Sequence, residues 1–521
     1  MLSVFKKLLN KTANNQQLKS AAAILLFVLI LLQPALDTIY LFSEKVIGVF
    51  GVSPATVVRF LGVLALFVLT FLCAGLTKKL LLFIIYLLFC LVYFVFHILN
   101  AADFVTLVPD LKYFSLLSEA VYLFRLLYPA FLVYAVVSLK PQKHFFKNLI
   151  FALSGQISGI IIISNLFCFS LDSYTNEKIT HNIFSWFGGV YKTGIYNGLA
   201  SKGFFNFANA TSVVLCMLLP LVIYFSLCSE KPFGFILVFL QSVAMLMLGT
   251  KTSAYGVCLT LGASILIFLF FLLFKRKTLA NENRLINVIC LVIVLCLTLA
   301  IFPKSPAVWR SQVAEGFVDK YASESPLEND DSGKAEENTL EEQAGEPSYA
   351  LKDWLYDSGI QPVYFERAYP IEYDSEFWQE FSSLDTSLRI NNRFVQEALL
   401  KRVKAVNNNF GDHLFGITYS RTSRIFNLER DFLYQYYSFG AVGTALLMGP
   451  YMIMLLYGVF VCLRSFKTRC TLPLVLTILS VAVALGTAFY CGNSLDAIFV
   501  NSILGLTLGF LLILTKKDSF N

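Results

Sequence analysis

Charge is scarce in this chain. Asp, Glu, Lys and Arg make up 14% of its 521 residues, against about 25% in an ordinary soluble protein. That shortage excludes a soluble enzyme, a disordered chain and a nucleic-acid binder as readings of the whole. Metal-binding patterns are missing as well. The four histidines (His97, His144, His181, His413) are scattered, and neither C-x-x-C nor D-x-D occurs. With no zinc or haem spacing, neither a metal nor a cofactor is expected. Six of the eleven cysteines (Cys73, Cys90, Cys216, Cys258, Cys290, Cys296) lie inside apolar runs, where a thiol acts as a small hydrophobe. What remains is apolar mass. Hydrophobic residues reach 57%, with 50 Phe and 25 Tyr, and mean hydropathy is +0.68. These numbers predict an all-α polytopic membrane protein.

A bilayer core takes about 20 apolar residues per helix. On that basis the sequence holds twelve spans, near 21–42, 54–75, 80–101, 114–139, 145–169, 204–227, 233–250, 252–274, 285–303, 432–463, 471–490 and 495–515. Lys6, Lys7 and Lys11 precede the first run, but no small-residue cleavage site follows it and Pro34 lies within it. The reading is an uncleaved first helix. Cytoplasmic loops carry the Lys/Arg excess. With the N-terminus inside, the inner pieces hold nineteen Lys/Arg and the short outer loops six. Both termini are therefore expected in the cytoplasm, and the protein in the cytoplasmic membrane of a bacterium.

The long segment 304–431 then lies outside, between helices 9 and 10. It divides the chain into a membrane domain (1–303), an extracytoplasmic loop domain (304–431) and a second membrane domain (432–521). Within the loop, 324–346 has nine acidic residues, one basic and no aromatic. Such a stretch buries too little apolar surface to offset its ordering entropy and is expected to be disordered. From Trp354 onward aromatics and mixed charge return, and Arg389–Asn407 reads as an amphipathic helix with Phe394, Ala398, Leu399, Val403 and Val406 on one face. A second outer stretch, 170–203, is too polar to span and suits the membrane surface.

Polar residues at or within spans are functional candidates by default. Lys202, with Asn206 and Asn209, stands in ASKGFFNFANAT at the outer mouth of the sixth span. Lys251 stands in GTKTSAYG, at the outer turn between spans seven and eight. Arg389 and Arg393 lie in SLRINNRFVQEALL, and Glu429–Arg430–Asp431 enters the tenth span before Gly440-x-x-Gly443. Each also has a plain structural reading. Lys251 can be a solvated turn residue, and Lys202 can snorkel. Arg393 can pair with Glu397 four residues on, while Glu429 can simply favour a helix start. Arg421 and Arg424 read as a positive outer surface. Glu119 and Arg125 in the fourth span read equally as a structural pair or as cavity lining, and Gly440 and Gly443 as sites of close helix packing.

The stretch LASKGFFNFANATSVVLCMLLPL resembles the G-x-F-x-x-x-N and following apolar run of the O-antigen ligase and O-antigen polymerase superfamily. GTKTSAYG resembles that family's small-residue turn, and the string from Arg393 through HLFGITYS to ERDFLYQYYSFGAVG resembles its outer loop returning to the membrane. In the ligase branch a His-Asn pair precedes G-x-x-G; this chain has Glu429–Arg430 there. The resemblance implies a C-type glycosyltransferase. Such an enzyme passes a polyprenyl-diphosphate-linked glycan, with inversion, to a glycan, lipid or cell-wall acceptor outside the membrane. The expected partners are that donor, that acceptor and membrane lipid, with no nucleic acid. Under that reading Glu429, or Asp431 beside it, is the base. Lys202, Lys251, Arg393 and Arg389 hold the diphosphate, while Asn206, Asn209, Arg421, Arg424 and Arg430 contact substrate. Polymerase and ligase stay open, as does a flippase or other polysaccharide transporter. A transporter would show repeat symmetry and helices broken at the midplane; a scaffold would need no aligned cations and carboxylate.

The topology has a direct test. In a background lacking the native cysteines, Asp330→Cys is expected to react with an impermeant thiol reagent in intact cells, and Asp518→Cys is not. Labelling at 518 but not at 330 would invert the topology and every site assignment with it.

Overall fold

The structure, a computed structural model, describes residues 15–43, 46–47, 52–195, 197–229, 233–275, 284–313, 347–426, 428–492 and 494–516. The acidic stretch 324–346 and both chain ends lie outside the described residues. Helices fill the expected positions: α1 (Asn15–Leu31), α2 (Pro54–Ala74), α3 (Lys78–Asn100), α4 (Leu116–Leu139), α5 (Lys143–Leu166), α6 (Ala208–Leu227), α7 (Phe233–Met247), α8 (Lys251–Phe274) and α9 (Arg284–Ile301). They continue with α10 (Asn392–Asn407) in the expected outer segment, then α11 (Asp431–Arg464), α12 (Leu472–Tyr490) and α13 (Ile498–Leu514). Among the described residues nine helices are long and apolar enough to cross a membrane. At the other three expected spans stand the shorter apolar helices α1, α7 and α13. No strand forms among the described residues, only isolated bridges.

The first expected span, 21–42, is interrupted. Pro34 has no N–H to continue the ladder, so α1 stops at Leu31 and a short turn, Gln33–Leu36, follows. The expected helix Arg389–Asn407 is also broken. Asn391 caps α10 by accepting from the Arg393 N–H at 3.2 Å, which leaves Arg389 at the end of a separate turn, Thr386–Arg389. The buried face of α10 is Val395, Leu399, Leu400 and Val403, offset from Phe394 and Ala398.

The chain forms two compact units. The first comprises 1–89, 123–309 and 447–521. Its centre is α6, buried along its length, with α5, α7, α8, α12 and α13 packed around it. Where lipid offers no hydrogen bonds, side-chain polar groups join helices directly. Gln241 donates to Leu215 O at 2.7 Å and accepts from Ser154 at 2.6 Å, and Ser480 donates to Met217 O at 2.6 Å. A Cβ on Gly505 would lie 2.9 Å from the Pro129 carbonyl, and one on Gly509 would lie 2.6 Å from Val136 Cβ. This is the small-x-x-x-small spacing that lets helices approach closely.

The second unit comprises 90–122 and 310–446, so it holds more than the outer loop. Glu119, fully buried, ties it together. Its Oε2 meets His97 Nε2 at 3.2 Å and accepts from the Tyr419 N–H at 3.0 Å, while Oε1 accepts from the Ser420 N–H and hydroxyl, each at 2.6 Å. Its partner is thus His97 rather than Arg125, whose carbonyl accepts from Asn501. His97 Nδ1 faces Phe415 O at 2.6 Å. The imidazole thus bridges the Glu119 carboxyl and the Phe415 carbonyl. Tyr122 stacks on Tyr419 at 3.7 Å.

Gly440 kinks α11. Its φ of +68, like the +81 of Gly416, belongs to glycine. A Cβ on Gly416 would come within 2.3 Å of Ser438 O, and one on Gly440 within 2.3 Å of the Leu414 carbonyl carbon. Two backbone stretches therefore cross here in contact, bonded from Ile417 N to Tyr437 O (2.9 Å) and from Thr418 N to Ser438 O (3.1 Å). Of the two glycines expected to permit packing, Gly443 does so against Tyr93, whereas Gly440 turns the chain.

An aromatic core of Tyr364, Phe365, Tyr369, Phe377, Trp378 and Phe381 completes this unit. Asp374 anchors it, accepting from Arg402 Nε (2.7 Å) and Nη2 (2.9 Å) and from the Tyr369 hydroxyl (2.7 Å). Burial works against ionisation of Asp374, but the Arg402 and Tyr369 hydrogen bonds outweigh it and hold the carboxyl below the usual range. A carboxyl depressed in the folded state stabilises above its unfolded value, about 3.9, and that contribution is lost as pH falls through the folded value. Asp374→Asn in the full-length protein is expected to cost about 2 kcal/mol, from weakened charge-assisted bonds beside a partly exposed guanidinium. Thermal unfolding should show the variant less stable at pH 7 and the two proteins converging below about pH 4. An unchanged melting profile at pH 7 would show that the pair does not hold the core.

Candidate functional site

In the first unit the structure brings the ASKGFF and GTKTSAYG stretches side by side. Ser201 N donates to Met247 O at 2.8 Å, and Tyr174 and Ser173 donate to the Gly249 and Leu248 carbonyls at 2.6 and 2.8 Å. A Cβ on Gly249 would lie 2.4 Å from Ala200 Cβ, so only glycine permits this contact. Thr250 caps α8 by accepting from the Ser253 N–H and bonds Ser212 of α6 at 2.7 Å. Lys251 is thereby fixed as the first residue of α8, exposed, beside N–H groups that the helix leaves unsatisfied.

Lys202 is 2% exposed. Its ammonium donates to Asn176 Oδ1 and, at 3.0 Å, to Asn206 O, two of its three donors. Burial pushes the Lys202 ammonium down to about 8, opposed by the charges of Asp172 and Asp37. The carboxylate of Asp172 is committed to the loop, accepting from the Tyr174, Thr175 and Gly198 N–H groups. Asn206 enters through its backbone, donating to Asp37 O at 2.8 Å as well as accepting from Lys202. Asn209, half-buried, sits in the first turn of α6.

Two charged residues beside Lys202 escaped the sequence reading. Arg59 on α2 donates through Nε to Gln33 Oε1 at 2.8 Å and through Nη2 to Asp37 Oδ1 at 3.4 Å, with both charges buried. The signal was present: Gln33, Asp37 and Arg59 are polar residues inside apolar runs, and intramembrane ionisable groups mark sites or pairs.

In the second unit, Arg393 and Glu429 come together. Arg393 donates through both Nε and Nη2 to Glu429 Oε2, each at 3.2 Å, with the two side chains 33% and 40% exposed. Glu429 Oε1 accepts no hydrogen bond from the described residues. The expected partner of Arg393, Glu397, binds Lys401 (2.7 Å) and Arg430 (3.5 Å) instead. Gln396 on α10 accepts from the Glu429 N–H at 3.3 Å, fixing the carboxylate's backbone against the same helix. Asp431 is buried in the first turn of α11, where the helix dipole favours a negative charge.

The other arginines separate from this pair. Arg389 is buried, with its guanidinium 5.1 Å from the Trp354 ring and bonded to Thr386 at 2.8 Å. Burial pushes it down, opposed by Asp385. Arg421 corrects the reading of a positive outer surface, because it is only 3% exposed. Its guanidinium lies 3.9 Å from the Phe104 ring and donates to Ala101 O at 2.9 Å. Burial pushes it down to about 10 against the charges of Glu119 and Asp412. Its Nη1 and Nη2 are taken up by carbonyls and its face by the rings, while the buried Nε meets no hydrogen-bond partner among the described residues. Arg424 is exposed, 4.0 Å from the Tyr113 ring. Among the described residues no group of three His, Cys, Asp or Glu is placed to hold a metal ion.

Chemically, the first unit offers one exposed cation, Lys251, at a helix N-terminus, a setting for anions. The second offers a carboxylate with one oxygen on an arginine. A family model described as O-antigen ligase like membrane protein matches residues 19–518, nearly the whole chain, and the chain belongs to that family. No curated protein sequence matches it.

Proposed function

We propose that this member of the O-antigen ligase like membrane family transfers a polyprenyl-diphosphate-linked oligosaccharide to a glycan or cell-envelope acceptor on the outer face of the cytoplasmic membrane. All twelve apolar helices cross the bilayer in this reading, with the loop domain outside. The observation that carries it is the Arg393–Glu429 pair, which sets a carboxylate with one uncommitted oxygen against a fixed cation. Glu429 takes the proton of the acceptor hydroxyl as its oxygen attacks the anomeric carbon. The bond from that carbon to the diphosphate oxygen breaks on the opposite face, so configuration inverts and polyprenyl diphosphate leaves. Charge grows on that leaving group, and preorganised cations stabilise it. Arg393, bonded to Glu429, fills that role within the second unit, and Lys251, exposed at the start of α8, is the first unit's candidate to hold a donor phosphate. The reaction then needs no metal. Arg389 lies farther from this chemistry in role than the sequence alone suggests, since its guanidinium already packs on Trp354.

Glu429–Arg430 stands where the ligase branch has His-Asn. A carboxylate base suits a sugar hydroxyl of a growing chain, which moves the reading toward a polymerase or a ligase with a cell-wall acceptor. The assay is purified protein in lipid with a lipid-linked oligosaccharide, read as glycan length or attachment. Glu429→Gln is expected to lower turnover about 10²–10⁴-fold, the usual worth of a general base, with donor binding nearly unchanged. Lys251→Ala and Arg393→Ala should weaken donor binding and turnover together, and Arg393→Lys should recover part of the loss, since Lys lacks the planar fork. A fully active Glu429→Gln enzyme would move the base to Asp431. Full activity in all of these variants would favour a transporter or scaffold.

A further inference from the structure

A cavity of about 490 Å³ opens in the second unit at the C-terminal end of α10, lined by Lys401, Lys404, Asn408, Phe410, His413 and Tyr436 among others. Its volume lies within the range of small-molecule sites. Three polar groups converge on it. Lys404 Nζ lies 2.9 Å from His413 Nδ1 and 3.0 Å from the Tyr436 hydroxyl, and His413 Nδ1 lies 3.1 Å from that same hydroxyl. The Lys404 ammonium also stands 4.6 Å from the Tyr436 ring centre.

The charge on Lys404 is what needs explaining. Four cations of this unit pair with carboxylates, Lys401 and Arg430 with Glu397, Arg402 with Asp374 and Arg393 with Glu429, whereas Arg389, Arg421 and Arg424 lie on rings, a hydroxyl or carbonyls. Among the described residues no carboxylate lies within ion-pair distance of Lys404; its partners are an imidazole and a phenol. The nearby Asp412 is buried and binds Asn100 (2.9 Å) and Asn407 (2.6 Å). A cation in a concave site with no ion-pair partner among the described residues presents its field to whatever enters, with Asp412 acting on it through space.

The walls narrow the choice of anion. Phe410 is 76% exposed at the rim, and Tyr436 offers a second aromatic surface. The amide of Asn408 lies on the same cavity wall. A bare phosphate would use the ammonium but neither ring. A sugar has an apolar C–H face to lay against a ring and hydroxyls for an amide, an imidazole and a phenol. We propose that this cavity binds an acidic saccharide unit, its anionic group on Lys404 and its C–H face on Phe410. The choice of a saccharide rests on the glycan-transfer reading; the anion preference rests on Lys404 alone.

The test uses the full-length protein in nanodiscs and saturation-transfer NMR with a glucuronate-containing disaccharide, its neutral glucose counterpart and inorganic phosphate. The acidic disaccharide is expected to bind, the neutral one to bind about tenfold or more weakly, and Lys404→Gln to remove the difference, as for loss of one charge-assisted hydrogen bond. Phe410→Ala should weaken both disaccharides. Because that ring is exposed, the variant stays informative if Lys404→Gln melts early. Equal binding of the two disaccharides, no binding of either, or displacement of the acidic one by phosphate at equal concentration would each overturn the proposal; the last would mark a plain anion or lipid-headgroup site. Glu429→Gln separates the two readings. Binding kept while transfer is lost supports both, whereas binding kept in a protein that never transfers glycan leaves the saccharide site standing and removes only the reaction.

Discussion

A carboxylate shut away from water needs every lone pair it can fill, and Glu119 shows what that requirement builds. Its two oxygens collect His97 from α3, the Tyr419 and Ser420 backbone and the Ser420 hydroxyl. An unpaired buried charge costs several kcal/mol, so these four groups have little freedom to part. Through them the segment around Tyr419–Ser420 is bound to His97 of α3 and Glu119 of α4, next to the crossing at Gly416 and Gly440 that leads into α11 and Glu429.

The same constraint explains the remaining charges. Arg59 and Asp37 pair in the first unit, Arg402 and Asp374 in the second, and Arg421 packs its guanidinium against rings and donates to carbonyls. These groups meet their partners inside the fold. Lys251 is exposed at a helix start, Glu429 Oε1 accepts no hydrogen bond from the described residues, and Lys404 has no carboxylate at ion-pair distance among them.

Much of this was legible in the sequence. Apolar runs placed the helices to within a few residues, because length and hydropathy alone set them. The proximity of ASKGFF to GTKTSAYG and of Arg393 to Glu429 was anticipated as shared function, though no spacing rule joins residues 36 or more positions apart. What the sequence hid were partner choices. Arg393 has Glu397 at the ideal helical interval yet bonds Glu429, because Asn391 starts α10 late and the chain entering α11 lies alongside. Arg421 looks like any surface arginine, since nothing local tells that Phe104 and Ala101 from another segment will cover it. His97–Glu119 needed two spans read against each other and against Ser420. Lys404 and His413 are unremarkable in a string, and only α10 and the turn after it bring them to one wall.

In the proposed reaction Arg393 and Glu429 have separate chemical roles and do not merely hold each other, and exchanging them distinguishes the two cases. Arg393→Glu and Glu429→Arg each put like charges face to face, and the double variant restores an ion pair with the roles reversed. Thermal stability and glycan transfer are measured on the two single variants and the double. The account predicts that the double variant regains most of the lost stability while transfer stays near the level of the singles. Recovery of transfer to the wild-type rate in the double variant would contradict it, and would make the pair a structural clasp.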